Sequence, residues 1–147
     1  MHSWEQFDKS TPELARFGFV RLHGQVAYLA TVRRDGQPRL HPVTPLIGHG
    51  HLYLFMEPTS PKGHDLQRGS GYCLHSAVAD TTGSNGEFQV SGSARLIEDE
   101  EIRERVSDLS PYKPEDETIL FELSVDRALS TVYTHTGAER KHWRAHR

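Results

Sequence analysis

Short segments of strand-like composition follow one another along most of this chain, and each ends at a turn signal or a short helical pattern. The clearest is 87–96, where apolar residues such as Phe88 and Val90 alternate with polar ones. Six strands are expected, at 26–32, 38–47, 51–56, 71–79, 87–96 and 118–133. Strands joined in this way pair antiparallel, so the sequence predicts a mainly β fold with short helices, a barrel or sandwich rather than a doubly wound α/β fold.

Three short helices are predicted at the connections. The first begins at Pro12, with Thr11 as its N-terminal cap, and ends near Gly24. Another follows Ser60, and the third spans 99–109. A small polar cap accepts free backbone N–H groups, and proline suits the first helical position because its φ is already helical. At 147 residues, the chain is expected to form one domain, 1–147.

The second strand-like segment contains three prolines, Pro38, Pro42 and Pro45. Proline has no backbone N–H, so the three cannot all lie in a strand that is paired on both sides. One side of this strand is therefore predicted to be free of a β-partner and open to other contacts.

The charge and hydropathy of the chain argue against two kinds of partner. Its net charge of -3 gives no electrostatic basis for binding nucleic acid or an anionic membrane. No stretch approaches the roughly 20 apolar residues that span a bilayer, and the first residues lack the pattern of a signal peptide. Cys73 is the only cysteine, so a cytoplasmic location is expected. Its place in a predicted strand indicates an inert core thiol.

Sequence motifs of the common enzyme classes are missing. The chain has no Walker loop, no dinucleotide glycine fingerprint, no nucleophile-elbow serine and no paired cysteines. The histidines include two spaced pairs, His49 with His51 and His142 with His146. Because no cysteine or carboxylate cluster completes a set of three or four ligands, no metal site is expected. Any chemistry is therefore expected to come from a bound cofactor.

Several motifs occur in a recognisable order between about residues 12 and 97. They are the apolar strand 27–32, Asp35-Gly36 with Pro38, His41-Pro42-Val43, and Ser60-Pro61-Lys62 before Leu66. In this order and spacing the chain resembles the pyridoxamine 5'-phosphate oxidase superfamily of FMN-binding proteins. The resemblance implies a six-stranded antiparallel split β-barrel that works as a homodimer, with one cofactor at each subunit interface.

The resemblance also implies which residues contact FMN. Related proteins lay the flavin ring along unpaired backbone of the proline-containing strand, and the end of the next strand meets the ribityl chain and phosphate. A phosphate carries about two negative charges, which suit a helix start and a fixed cation such as Lys62. The predicted cofactor-binding residues are Leu40, His41, Pro42, Val43, Thr44, Phe55, Met56, Glu57, Ser60, Lys62 and Trp143.

Some features depart from the family pattern or stay open. Pyridoxamine phosphate oxidases are longer and usually carry Arg just before the lysine, where this chain has Pro61. The tail from Trp143 to His146 is similar to an Arg-x-His substrate grip, but so short a match is weak support for vitamin chemistry. Trp143 covers either the flavin edge, the partner subunit or the tail itself. His41 either contacts flavin or bonds to backbone.

Three functions are consistent with the resemblance. The sequence predicts an FMN-dependent oxidoreductase, in which flavin carries hydride or electrons between an electron donor and a small-molecule substrate. A deazaflavin-dependent reductase of the same superfamily is the second. The third is a non-catalytic module that carries flavin or haem. None of the three identifies a catalytic residue.

Overall fold

This computed structural model describes residues 1–146 of the chain. They contain ten β-strands and four helices. The strands are β1 (Ala27–Val32), β2 (Pro38–Val43), β3 (Leu46–Gly48), β4 (His51–Met56), β5 (Tyr72–Ser76), β6 (Glu87–Gly92), β7 (Ala94–Ile97), β8 (Ile119–Leu123), β9 (Arg127–Thr134) and β10 (Gly137–Arg144). The helices are α1 (Trp4–Ser10), α2 (Pro12–Leu22), α3 (Pro61–Gln67) and α4 (Glu100–Ser107).

The strands form two antiparallel sheets. One has six strands in the order β10-β9-β6-β5-β1-β2, and the other has four in the order β3-β4-β8-β7. Neighbouring strands pair antiparallel throughout the described residues. The prediction of a mainly β fold with short helices at the connections is confirmed.

The structure has ten strands where six were expected, chiefly because three predicted strands bend and continue in the other sheet. Segment 38–47 divides into β2 in the six-stranded sheet and β3 in the four-stranded sheet. Segment 87–96 divides likewise into β6 and β7, and 118–133 into β8 and β9. Strands that change sheet at a bend form the corners between packed sheets.

At each bend a link of one to three residues separates the two strands. Thr44 and Pro45 separate β2 from β3, and Pro45 has no N–H for pairing. Ser93 separates β6 from β7, and its N–H donates to Ser124 Oγ at 2.8 Å. The Ser124 N–H donates to the Ser93 carbonyl, also at 2.8 Å. Because Ser124 directly follows β8, these contacts join the second and third bends at one place.

The tenth strand, β10, was not expected. It pairs along its whole length with β9 and forms one edge of the six-stranded sheet. Its residues are exposed except for one that is half-buried. β10 therefore lacks the alternating apolar pattern by which a strand is recognised in a sequence.

The helices begin where the sequence indicates, with one addition. α2 and α3 start at the predicted prolines, and Ser60 Oγ caps α3 by accepting the Gly63 N–H at 3.2 Å. α1 was not expected, although Ser3 and Gln6 form a capping box at its start. In the described part of the chain, no helix is both long and apolar enough to cross a membrane.

The main apolar core lies between the two sheets and extends under α1 and α2. Phe7, Leu54, Phe88 and Leu123 are among its fully buried side chains. α2 packs closely against β6, because a Cβ at Gly18 would lie only 2.5 Å from the Phe88 ring. A smaller cluster packs α4 against the four-stranded sheet. Its buried members are Leu46, Tyr53, Val106 and Leu120.

The proline-containing strand β2 forms the other edge of the six-stranded sheet. It pairs with β1 on one side, and no strand of residues 1–146 pairs with its other side. The prediction of a free side is therefore confirmed. None of the six residues of β2 is buried, and Leu40 is 67% exposed.

Candidate functional site

A cavity of about 380 Å³ lies where the ends of β2 and β4, the start of α3 and the segment 110–118 meet. We call it the first cavity. Seven predicted cofactor-binding residues line it: Pro42, Val43, Thr44, Phe55, Met56, Glu57 and Lys62. Because β2 belongs to one sheet and β4 to the other, this cavity requires both sheets to be in place.

The β2 side of the first cavity offers backbone groups without a second β-partner. β2 is an edge strand, and Thr44 lies after its last paired residue and before β3. Pro42 and Pro45 flank this stretch and have no N–H. Val43 and Thr44 line the cavity, and within residues 1–146 no second strand pairs with this end of β2.

Lys62, in the first turn of α3, brings a positive charge to the first cavity. The side chain is half-buried, and burial lowers the pKa of its ammonium group, while the Glu57 carboxylate acts in the opposite direction. A partly desolvated ammonium group is stabilised by an anionic partner. The Lys62 side of the cavity is therefore suited to an anion.

The start of α3 can pack closely against β4 because Gly63 has no side chain. A Cβ at Gly63 would lie 2.9 Å from Ser60 Oγ and 3.2 Å from Met56 Sδ. Ser60 is buried and bonded to the Gly63 N–H, so it supports the first turn from behind and does not line the cavity. This close packing sets the position of Lys62.

Asp65 ties α3 to β1 and β2. This buried carboxylate accepts hydrogen bonds from Thr31 Oγ1 at 2.8 Å, Arg39 Nε at 2.7 Å and Arg68 at 2.7 Å. Burial alone would raise the pKa of Asp65, but the bonds from Arg39, Arg68 and Thr31 outweigh it and hold the pKa at about 2. The charged network fixes the helix that carries Lys62 against the strand that carries Pro42.

The segment 110–118 supplies most of the lining residues that sequence reasoning missed. Those residues are Ser110, Tyr112, Lys113, Pro114, Glu115 and Thr118, and Leu46 of β3 joins them. Arg103 on α4 holds the segment by donating to the carbonyls of Glu115 at 3.0 Å and Asp116 at 3.3 Å. The sequence predicted only that a helix ends at 109, just before this segment, and no local signal related the segment to a cavity.

Leu40, His41 and Trp143 do not line the first cavity. Leu40 and His41 lie earlier on β2, whereas Trp143 lies on β10, at the opposite edge of the six-stranded sheet. Trp143 Nε1 donates to Ser10 Oγ at 2.8 Å, and its ring centroid is 5.0 Å from that of Phe7. Trp143 also lines a second cavity, of about 540 Å³, with residues of β6 and β9.

Two side chains of potentially reactive type, Cys73 and His51, lie outside the first cavity. Cys73 is half-buried on β5, and burial raises the pKa of its thiol, which lowers the reactive thiolate fraction. His51 Nδ1 lies 2.9 Å from the buried carboxylate of Glu122. Within residues 1–146, no three His, Cys, Asp or Glu side chains are grouped so that they could hold a metal ion.

Comparison with known proteins gives one match in sequence. The sequence profile of the pyridoxamine 5'-phosphate oxidase family matches residues 18–137, which is most of the chain. No curated protein matches the chain in sequence.

Solved structures share the fold at low sequence identity. A candidate 5-nitroimidazole antibiotic resistance protein from Bacteroides thetaiotaomicron is 16% identical, with 78% of this chain and 81% of that chain covered and a TM-score of 0.64. A candidate pyridoxamine 5'-phosphate oxidase from Lactobacillus delbrueckii is 21% identical, with 80% and 91% covered and a TM-score of 0.60. The haem storage protein HutZ from Vibrio cholerae is 16% identical, with 79% and 89% covered and a TM-score of 0.55. At these identities the likeness shows the fold alone.

Proposed function

The chain belongs to the pyridoxamine 5'-phosphate oxidase family, and from this premise we propose that it is an FMN-binding oxidoreductase. In the first cavity the flavin would supply the hydride or electron transfer to a small-molecule substrate. The observation that carries the proposal is that a free edge of β2 and the half-buried cation Lys62 line the same cavity. We also propose that residues 1–147 form a single FMN-binding domain. Because Cys73 is the only cysteine, we further propose that the protein is cytoplasmic.

The lining of the first cavity fits a flavin nucleotide in size and chemistry. Its volume of about 380 Å³ lies within the range of ligand pockets. Val43, Phe55 and Met56 offer apolar surface to a flat ring system. The main chain at 43–44 would exchange hydrogen bonds with the polar edge of the ring, and the Thr44 hydroxyl adds a donor and an acceptor.

The α3 side of the first cavity fits the phosphate-bearing chain of the cofactor. Lys62 would pair with the phosphate in a charge-assisted hydrogen bond. The Glu57 carboxylate would accept hydrogen bonds from the sugar-alcohol hydroxyls. Ser60 would contribute by holding the first turn in place. This assigns different roles to Ser60 and Lys62, which the resemblance gives together as cofactor-binding residues.

A homodimer is part of the proposal. Tyr28, Val32 and Leu40 lie on the same face of adjacent strands, because Leu40 is opposite Ala30, two residues from each of the others. All three are exposed apolar side chains. We call the surface that they form the apolar sheet face. Contact with a second copy would remove this surface from water.

Two-fold packing of the apolar sheet face would also complete the cofactor site. β2 and the first cavity lie at one edge of the six-stranded sheet, and β10 with Trp143 lies at the other. In a two-fold dimer whose axis runs parallel to the strands through the middle of the six-stranded sheet, the strand order is reversed across the interface, so β2 of one copy would lie towards β10 of its partner. Trp143 would then cover the cofactor of the partner subunit, and Leu40 would lie in the interface.

The main test of the proposal is substitution of Lys62. The Lys62→Ala variant should bind FMN more weakly by about 1.5 to 3 kcal/mol, because it loses a charge-assisted bond to the phosphate. Binding is measured by quenching of flavin fluorescence during titration. The exposed lysine Lys9 lies on α1, and Lys9→Ala serves as a control that should bind normally. Equal affinity of the Lys62→Ala and unmodified proteins would refute the assigned role.

The visible absorption spectrum of the purified protein distinguishes the remaining candidates. FMN, a deazaflavin and haem absorb differently, and mass spectrometry of the released molecule identifies which is present. Among residues 1–146, no histidine or cysteine lines the first cavity, and these are common haem ligands. This favours flavin. Bound flavin without turnover by any nicotinamide donor or electron acceptor would instead indicate a non-catalytic module.

A further inference from the structure

A concave surface of about 360 Å³ lies near α3, and we call it the arginine cavity. Pro61 lines it, whereas the next residue, Lys62, lines the first cavity. The first turn of α3 thus stands between the two. The charged groups that matter for the argument are Arg33, Arg34, Arg39, Arg68, Asp35 and Asp65.

Positive charge is concentrated in the arginine cavity. Four guanidinium groups face two carboxylates, which leaves an excess of two positive charges, although the whole chain carries a net charge of -3. Arg33 is bonded to Asp35 at 3.2 Å. Arg34 is exposed and makes no ion pair within residues 1–146. The cavity therefore offers charge that the protein itself does not neutralise.

Two of these arginines are held in place by the buried carboxylate of Asp65. Arg39 reaches Asp65 through Nε at 2.7 Å, and Arg68 reaches it through one terminal nitrogen at 2.7 Å. A guanidinium carries five N–H groups in a fixed plane, so the bonds to Asp65 leave others directed elsewhere. In the described residues, the terminal nitrogens of Arg39 bond to no protein atom. Both side chains remain partly exposed to the cavity.

We propose that the arginine cavity binds the phosphate or pyrophosphate group of a small-molecule ligand. Guanidinium groups pair with phosphate oxygens in a forked geometry, and oriented ones lose less freedom on binding. The groups come from three places, the β1–β2 turn, β2 and the residue that caps the end of α3, so they approach an anion from several directions. A tetrahedral phosphate can use several directions at once, whereas a planar carboxylate is matched by one guanidinium.

This site does not depend on whether flavin binds. Lys62 belongs to the first cavity and does not line the arginine cavity. A phosphate ligand of the arginine cavity would therefore bind the protein with or without FMN. Failure of the flavin proposal would leave this one standing, and failure of this one would leave flavin binding unaffected.

The first experiment is a calorimetric titration of the full chain with sodium pyrophosphate, with and without added FMN. We expect saturable binding of one pyrophosphate per chain in both cases. Binding that disappears when FMN is present, and also in the Lys62→Ala variant, would assign the anion to the first cavity and overturn the proposal. Absence of any binding would overturn it as well.

A matched pair of arginine variants locates the site. Arg34→Gln should weaken pyrophosphate binding about five- to tenfold, the loss typical of one charge-assisted contact. Arg16→Gln makes the same charge change at an exposed residue of α2 and should leave the affinity unchanged. Equal weakening by both variants would mean that overall charge attracts the anion, and the cavity would then not be a site.

The Asp65→Asn variant tests whether pyrophosphate binding requires Asp65 to orient Arg39 and Arg68. The substitution makes the cavity more positive, so attraction by net charge alone predicts tighter binding of pyrophosphate. Orientation by Asp65 predicts weaker binding, and we expect a weakening of about tenfold. Tighter binding would overturn the proposed orientation. Should this variant fail to fold, as judged by its circular dichroism, the arginine pair decides the question.

A last arm separates a small phosphate ligand from a nucleic acid. The same titration is made with a short single-stranded oligonucleotide. Weak binding that does not compete with pyrophosphate is expected. Tighter binding than pyrophosphate, with a steep dependence on salt and loss in Arg34→Gln, would identify the surface as a contact for a polyanion and overturn the small-molecule assignment.

Discussion

β2 and β4 are both six-residue strands, but they meet their surroundings in opposite ways. β4 pairs with β3 on one side and β8 on the other, and its side chains Leu52, Leu54 and Met56 are buried. β2 pairs with β1 alone in the described chain, and none of its residues is buried. One strand builds the core, and the other presents an accessible edge to the first cavity.

The difference between the two strands shows how the same secondary structure serves two purposes. The backbone N–H and C=O groups of β4 bond to strands on both of its sides, and burial of its apolar side chains stabilises it. Pro42 prevents β2 from offering a complete row of donors, which also protects a free edge against addition of another strand. β2 pairs with β1 on one side and is held in addition through a side chain, by the bond from Arg39 to Asp65. β4 should therefore respond to loss of volume, and β2 to loss of charge.

Leu54→Ala should produce the largest effect. It removes a fully buried side chain of β4 and should lower the free energy of unfolding by about 2 to 5 kcal/mol. The matched variant in β2, Leu40→Ala, should lower the free energy of unfolding of the monomer by no more than about 0.5 kcal/mol, because Leu40 is exposed in the single chain. Urea unfolding of both variants measures the difference. Similar losses would remove the distinction between the strands.

Acid should weaken β2 through Asp65. The pKa of Asp65 is about 2 in the folded chain, and that of an aspartate in an unfolded chain is about 3.9. Because the folded pKa is the lower one, the stabilisation is present above the unfolded pKa and is lost as the pH falls from about 4 towards 2. The loss should be about 2 to 3 kcal/mol in urea unfolding experiments.

Asp65→Asn provides the control for this pH dependence. The variant is less stable at neutral pH, since it leaves two partly buried guanidinium groups without their counter-ion. It has no carboxyl to titrate at this position, so its stability should fall less than that of the unmodified protein over the same acid range. Parallel pH profiles for the two proteins would contradict a role for the Asp65 network.

Leu40→Lys should have the smallest effect on folding and a clear effect on assembly. A charge on the apolar sheet face should convert dimers to monomers in sedimentation experiments, while the free energy of unfolding of the monomer changes by about 0.5 kcal/mol or less. Val20→Lys, at an exposed valine of α2 on another surface, is the control. A persistent dimer in Leu40→Lys would show that this face is not the interface.

Much of the fold could be predicted from local patterns. Pro12 and Pro61 identified two helix starts, and the glycine of Asp35-Gly36 adopts the positive φ of 86° that its turn requires. The bends at Ser93 and Ser124 could not be predicted, because they depend on contacts between distant segments. β10 was missed since its polar residues are stabilised by pairing with β9 rather than by a buried face.

The candidate site also has one part that local sequence motifs predicted and another part that they did not. The stretches 42–44 and 55–57 and the residue Lys62 were recognised from local motifs, and they line one cavity. The contribution of 110–118 was not recognisable, because Arg103 brings that segment into place through backbone carbonyls. For Trp143 the residue type was informative, but its position could not be predicted. Its aromatic side chain indicated a contact surface, whereas only the strand order of the sheet shows that it lies at the edge away from β2.

The three strands that change sheet have a consequence for how the protein folds and responds to ligands. Each sheet shares continuous chain with the other at three places, so we expect the two sheets to form together. Pairings such as that of Ala30 with Cys73 also join distant parts of the chain, which slows folding. The first cavity draws its lining from both sheets, so a partly folded chain would not retain a ligand there. Any molecule that binds it should therefore raise the melting temperature of the whole protein as one cooperative unit.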